Sequence, residues 1–202
     1  MLQKAAEIIL KKTDPDNAGE GEIMNDKRIR ILCEGAIMVA LAQILGYLKL
    51  GRLPQGGSVT LAMLPIFLYG YRRGFKNGLM AAFALGLLQC TLDNSWNWGW
   101  QSILLDYLLA YGALGISGLF SNKKYGEYFG AAAGAFLRLL MHTISGVLYL
   151  DAYTDLEIFG LHTTSPWIYS LIYNGSYVLL SLIACLLIIF FLSKKKLLKI
   201  YL

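Results

Sequence analysis

Apolar residues fill long stretches of this chain, and short segments rich in charged, glycine and amide residues separate them. The stretches approach the ~20 residues that a helix needs to cross a ~30 Å hydrocarbon core, and they predict six spans. These are "ILCEGAIMVALAQILGYLKL" (31–50), "SVTLAMLPIFLYGY" (58–71), "NGLMAAFALGLLQCTL" (77–92), "QSILLDYLLAYGALGISGLF" (101–120), residues 128–150, and "WIYSLIYNGSYVLLSLIACLLIIFFL" (167–192). The second is short and carries Pro65. At ~1.5 Å per residue it reaches only about 21 Å, so it is expected to continue from a loop that dips into the protein. Irregular backbone is tolerated at that depth only where it lines a cavity or is buried in protein. The predicted fold class is an all-α membrane protein with six transmembrane helices.

Charge then orients the spans. Lys27, Arg28, Arg30, Arg72, Arg73, Lys76, Lys123, Lys124 and the terminal "KKKLLK" fall on one side, against Lys49 and Arg52 with Asp93, Asp151, Asp155 and Glu157 on the other. Lys and Arg mark the cytoplasmic side, which predicts that both termini are cytoplasmic. Residues 1–26 read as an N-terminal extension, expected to be flexible, and 27–202 as one membrane-embedded domain. No cleavable signal peptide is visible, because the apolar patch in "MLQKAAEIILKK" is too short.

Composition supports the membrane reading, with 56% hydrophobic and 15% charged residues and a mean hydropathy of +0.52. The net charge of +5 sits in short clusters between apolar runs, so it is no nucleic-acid footprint. The three cysteines (Cys33, Cys90, Cys185) all lie in apolar segments, which speaks for inert thiols rather than a disulfide framework. There is no P-loop, no H-E-x-x-H and no Cys/His cluster with metal spacing; no metal or cofactor is expected.

Arg138 and His142 lie inside the fifth span, where ionisable groups are costly and persist mostly when they face a partner or a polar cavity. By helical rise, His142 lies about 12 Å below the outer end of its span, Asp106 about 8 Å, and Tyr169 and Asn174 about 3 and 11 Å. A carboxylate, an imidazole, a phenol and a carboxamide thus meet at one depth, which suggests a polar pocket opening outward. Two readings stand for the charges: Asp106 and Arg138 neutralise one another as structural partners, or both belong to the pocket. Tyr169 equally suits an interfacial anchor, as do Trp96, Trp98 and Trp100 of "DNSWNWGW", which otherwise form a pocket wall. "GRLPQGGSVT" (51–60) is Gly-rich enough to move.

Small residues recur at helical spacing: Ala36 and Ala40, then Gly78, Ala82 and Gly86, then Gly126, Gly130 and Gly134. Such stripes let helices approach closely, within the bundle or against another membrane protein. "GISG" (115–118) followed by His142 suggests an enzymatic alternative, the Ser117/His142 dyad of a rhomboid-like intramembrane serine protease. Ser117, however, lies about 6–8 Å from the cytoplasmic end of its span and His142 about 20 Å, whereas nucleophile and base must lie within ~3 Å.

The blocks "PQGGSVTLAMLPIFLYGYRRGFKNGL", "LLDYLLAYGALGISGLF", "FLRLLMHTISGV" and "WIYSLIYNGSYVL" together resemble the thiamine-specific substrate-binding (S) component of energy-coupling-factor (ECF) vitamin transporters, over residues 26–192. The resemblance implies high-affinity capture of thiamine and its import, not an enzyme, in a multi-pass protein of a prokaryotic plasma membrane. Implied partners are a membrane coupling subunit and two cytoplasmic ATPase subunits. Residue by residue it implies ligand contacts from Asp106, Tyr107, Arg138, His142, Gly146, Tyr169, Asn174 and Trp96, and docking of the coupling subunit on Ala36 and Ala40. Two departures stand out. Some members carry Glu where this chain has Asp106, and a Trp that stacks on the ligand in some members aligns with Leu150, leaving that face to Tyr149, Tyr153 or a loop Trp. Other small vitamins or a thiamine precursor are the alternative ligands. Thiamine suits the residues chemically: its thiazolium cation is attracted to aromatic faces, and its aminopyrimidine offers donors and acceptors to a carboxylate, carboxamide and phenol.

Overall fold

A computed structural model describes residues 15–53, 57–93, 99–121, 123–150 and 155–195, with side chains from residue 26 onward. Five helices among the described residues are long and apolar enough to cross a membrane. In chain order the elements are α1 (Pro15–Tyr47), β1 (Gly51–Arg52), β2 (Ser58–Val59), α2 (Met63–Leu92), α3 (Trp100–Phe120), α4 (Gly126–Tyr149), β3 (Leu156–Ile158), β4 (Leu161–Thr163) and α5 (Pro166–Lys194). The two antiparallel hairpins, β1–β2 and β3–β4, stand at one end of the bundle. Large apolar side chains such as Ile37, Ile44, Phe136 and Leu180 cover its outside, as a lipid-facing surface requires. The expected boundary between residues 26 and 27 falls inside α1, whose helix already begins at Pro15; residues 1–14 lie outside the described residues.

The second and third predicted spans form one helical hairpin. Within α2, Gly74 adopts φ +80° and ψ 174°, backbone that L side chains rarely adopt. The chain reverses there: a Cβ on Gly78 would stand 2.7 Å from Gly70 Cα, although eight residues of straight helix span ~12 Å. Asn77 Nδ2 donates to Arg73 O at 2.8 Å, satisfying a carbonyl that the break orphans. Glu34 of α1 clamps this turn, pairing with Arg72 at 3.1 Å and with Arg73 Nε at 2.8 Å. The first arm, 63–73, is only ~16 Å long, and the segment before it dips into the bundle as the sequence predicts. There Gly57 N donates to Tyr173 OH at 2.9 Å and Thr60 N to Ser181 Oγ at 3.1 Å.

The bundle closes through backbone-to-backbone contact. α3 is not a regular α-helix: Ile103–Leu109 is π-helical and Ala113–Phe120 is 3₁₀. At three residues per turn, Gly112, Gly115 and Gly118 stack in a row against α2. A Cβ on Gly115 would stand 2.5 Å from Leu79 Cα, and one on Gly118 2.5 Å from Phe75 N. The Gly126–Gly130–Gly134 stripe of α4 packs on α3 and α2, against Phe120 O, Ser117 O and Phe67, so it is internal. Ala36 and Ala40, by contrast, are exposed.

Two buried side chains, Ser117 through its Oγ and Gln43, are left without a partner among the described residues. Gln43 of α1 is 7% exposed, and neither carboxamide atom has a partner among the described residues. A buried unpaired polar group costs roughly 1–3 kcal/mol, and Leu nearly preserves the volume. Gln43→Leu is therefore expected to raise the unfolding temperature of the detergent-solubilised protein. A lowered temperature would show that Gln43 holds a polar contact.

Candidate ligand-binding site

A cavity of about 910 Å³ opens among α1, α2, α3, α4 and α5 at the hairpin end of the bundle. Of the residues singled out from the sequence, Asp106, Tyr107, Arg138, His142, Gly146, Tyr169 and Asn174 all line it. Trp96 lies outside the described residues, as do Trp98 and Tyr153. Trp100 is described and is 70% exposed.

The three ionisable groups form a relay. Arg138 Nε donates to His142 Nε2 at 3.2 Å, so Nε2 is an acceptor and the imidazole proton sits on Nδ1. His142 Nδ1 in turn lies 2.8 Å from Asp106 Oδ1. The acid and the base therefore do not touch in the way a simple ion pair would; the neutral imidazole bridges them. Helical spacing makes this possible, because Arg138 and His142 are i and i+4 on α4. The π-helical turns of α3 carry Asp106 across to meet them.

Ser102, Ser145, Tyr111, Tyr173 and Tyr177, which the sequence reading did not single out, complete the site. Ser102 and Ser145 both donate to Asp106 Oδ2, at 2.8 and 2.6 Å, and Tyr149 OH accepts from Ser102 N at 3.1 Å. Asn174 donates to His142 O at 3.3 Å and to Ser170 O at 2.9 Å, while its Oδ1 accepts from Tyr177 OH at 2.7 Å. The Arg138 guanidinium lies over the Tyr111 ring, 4.3 Å from its centroid. Tyr169, Tyr173 and Tyr177 follow one another at i, i+4 and i+8 on α5, with Tyr169 and Tyr173 stacked at 6.3 Å. Tyr169 and Asn174 are about 140° apart on a helix, yet both reach the cavity, because it wraps around the unbroken α5. Tyr149 and Leu150 both line it at the end of α4.

Gly146 has a packing reason of its own: a Cβ there would stand 2.2 Å from Ser170 Oγ, where α4 and α5 meet. Ser117 does not reach His142. Its backbone faces Gly130, about 18 Å along α4 from His142, and both imidazole nitrogens are already engaged. The Ser117/His142 dyad does not form.

Residues 32–201 match the family model described as thiamine transporter protein. The chain belongs to this family. It is 35% identical over 190 residues to the thiamine transporter ThiT of Bacillus subtilis, covering 86% of this chain and 96% of the relative. ThiT of Lacticaseibacillus paracasei is 26% identical over 182 residues, covering 81% and 86%. A solved structure of ThiT from Listeria monocytogenes superposes with a TM-score of 0.74 at 26% identity, over 87% of this chain and 98% of that one. Membership in the family and the apolar helices place the chain in the cell membrane as a multi-pass protein.

Proposed function

We propose that this chain is the substrate-binding (S) subunit of an ECF-type importer, binding thiamine in the cavity built around Asp106, His142 and Arg138. In this reading it is a transport subunit; a membrane coupling subunit and two cytoplasmic ATPases supply the energy. The α2 hairpin counts as two spans, giving six, with both termini cytoplasmic and the cavity opening outward. The thiamine-transporter relatives support the substrate. The observation that carries the reading is a cavity of ligand size walled by seven tyrosines, with a carboxylate held among them. Tyrosine faces attract the thiazolium cation by ~0.5–2 kcal/mol per contact. Asp106 and Asp93 offset Arg138 and Lys49 around the cavity, so a cationic ligand enters no net positive field. Asp106, Tyr107, His142, Gly146, Tyr169 and Asn174 are the proposed contacts, with Trp96 from the preceding loop; Arg138 acts through His142 and Tyr111. No cofactor takes part.

Mass spectrometry of small molecules released from the detergent-solubilised protein tests the substrate, alongside equilibrium dialysis with labelled thiamine. Saturable thiamine binding, outcompeting other vitamins, is expected. Release of a different vitamin or a thiamine precursor, with no saturable thiamine binding, would overturn the assignment.

A further inference from the structure

One wall of the cavity has most of its hydrogen bonds made within the protein, and an adjoining wall has capacity to spare. On the first, His142 and Asn174 direct donors and acceptors at protein groups, and three protein donors converge on the Asp106 carboxylate. On the second stands Gln89 of α2. It lines the cavity and is only 6% exposed, yet its carboxamide makes no hydrogen bond to any described residue. The surroundings hold it in place. A Cβ on Gly46 would stand 2.9 Å from Gln89 Nε2, so this glycine leaves room for the amide. One turn earlier, a Cβ on Gly86 would stand 2.5 Å from Tyr107 O, so α2 lies directly on the π-helical segment that carries Asp106. Its amide atoms are not among the fully buried unpaired ones, so the carboxamide is accessible from the cavity it lines, and a ligand filling that cavity has to satisfy it.

We infer that Gln89 is a specificity-determining residue that reads the aminopyrimidine ring of the ligand. Its carbonyl accepts from the exocyclic amino group, and its NH2 donates to the adjacent ring nitrogen. A carboxamide presents a donor and an acceptor side by side, the complement of an amino group next to a ring nitrogen; glutamine pairs with adenine in the same way. The inference rests on the thiamine reading and adds to it a residue and a recognised edge. A ligand filling the cavity shields Gln89 from water, so one lacking the amino group leaves its carbonyl unpaired, and such sites reject the defective analogue strongly.

The test is a cycle of two proteins and two ligands: wild type and Gln89→Leu, each titrated with thiamine and with an analogue carrying hydrogen in place of the pyrimidine amino group. Wild type is expected to bind the analogue at least about tenfold more weakly than thiamine, and Gln89→Leu to lose at least about tenfold for thiamine. Gln89→Leu is expected to show no further penalty with the analogue. Leu keeps nearly the same volume and breaks no hydrogen bond to a described residue, so the ligand-free unfolding temperature is not expected to fall. Gly46→Ala pushes a methyl group against Nε2 and is expected to weaken thiamine binding in the same direction; it carries the test if Gln89→Leu does not fold. Thiamine affinity in Gln89→Leu within roughly twofold of wild type, or a full amino-group penalty persisting in that variant, overturns the inference alone. Wild-type protein that binds no thiamine overturns the transport reading, and this inference with it.

Discussion

Asp106→Ala is expected to weaken thiamine binding by at least about a hundredfold, or ~2.7 kcal/mol, the largest loss of any single substitution in the cavity. The carboxylate accepts from Ser102, Ser145 and His142. Its removal leaves three buried donors without an acceptor and the Arg138 charge without a counter-charge. Hydrogen bonds to charged groups contribute ~1.5–3 kcal/mol each, and breaking a buried charge pair costs ~3–5 kcal/mol in stability. Binding and folding therefore have to be separated. Asp106→Asn does so, because its carbonyl can still accept from His142 Nδ1 while its NH2 faces two serine hydroxyls free to rotate into acceptors. It is expected to fold, with thiamine affinity at least about tenfold down. His142→Ala is expected to lose a similar factor, because the ring carries the link between Arg138 and Asp106. Adding Arg138→Gln to Asp106→Asn restores neutrality. If the double variant recovers unfolding temperature but not affinity, the acid serves the ligand. If both single variants bind thiamine normally and only stability moves, the relay is structural and the cavity's function lies elsewhere.

The depth of the polar groups was legible in the sequence because helical rise is regular: Asp106, His142, Tyr169 and Asn174 meet where their distances from the span ends place them. So was the dipping segment before Met63, since residues 58–71 are too few to cross a bilayer. What the sequence hid is what depends on departures from regular geometry. The π-helical turns at Ile103–Leu109 change which residues of α3 share a face. Spacing at 3.6 residues per turn therefore does not reveal that Ser102 and Asp106 meet Ser145. The 3₁₀ turns after Ala113 likewise hide the Gly112–Gly115–Gly118 row, whose three-residue spacing is not the four-residue pattern by which small-residue stripes are found. Arg138 and Asp106 were legible as charges needing partners, but not the imidazole between them. That bridge requires α3 and α4 to be set at one separation, which tertiary packing determines. Gln89 carried no signal at all, because a glutamine near a span end reads as interfacial until the cavity is seen.

Ala40→Trp is expected to abolish thiamine uptake by cells while leaving thiamine affinity of the purified protein close to wild type. Ala36→Trp is expected to do the same. The stripes on α3 and α4 meet neighbouring backbone inside the bundle, so bulky residues there would unfold the protein. Ala36 and Ala40 differ because they are exposed, beside Ile37 at 65% and Ile44 at 58% exposure. A Trp at either position points away from the described residues of the bundle, and lipid accommodates it. It removes only the flat surface on which a second helix could approach closely, the property that makes small residues useful in membranes. Neither position lines the cavity, so affinity has no direct reason to change. The measurement pairs uptake of labelled thiamine in cells with titration of the same variant in detergent, and co-purification of the proposed coupling subunit reports assembly. Lost uptake with retained affinity and lost co-purification is the outcome a docking surface requires. Normal uptake in both variants would remove the coupling subunit from this face of α1. A joint fall of affinity and uptake would mean that the stripe supports the fold of the cavity through α1, whose far end supplies Gly46 and Tyr47 to the cavity wall.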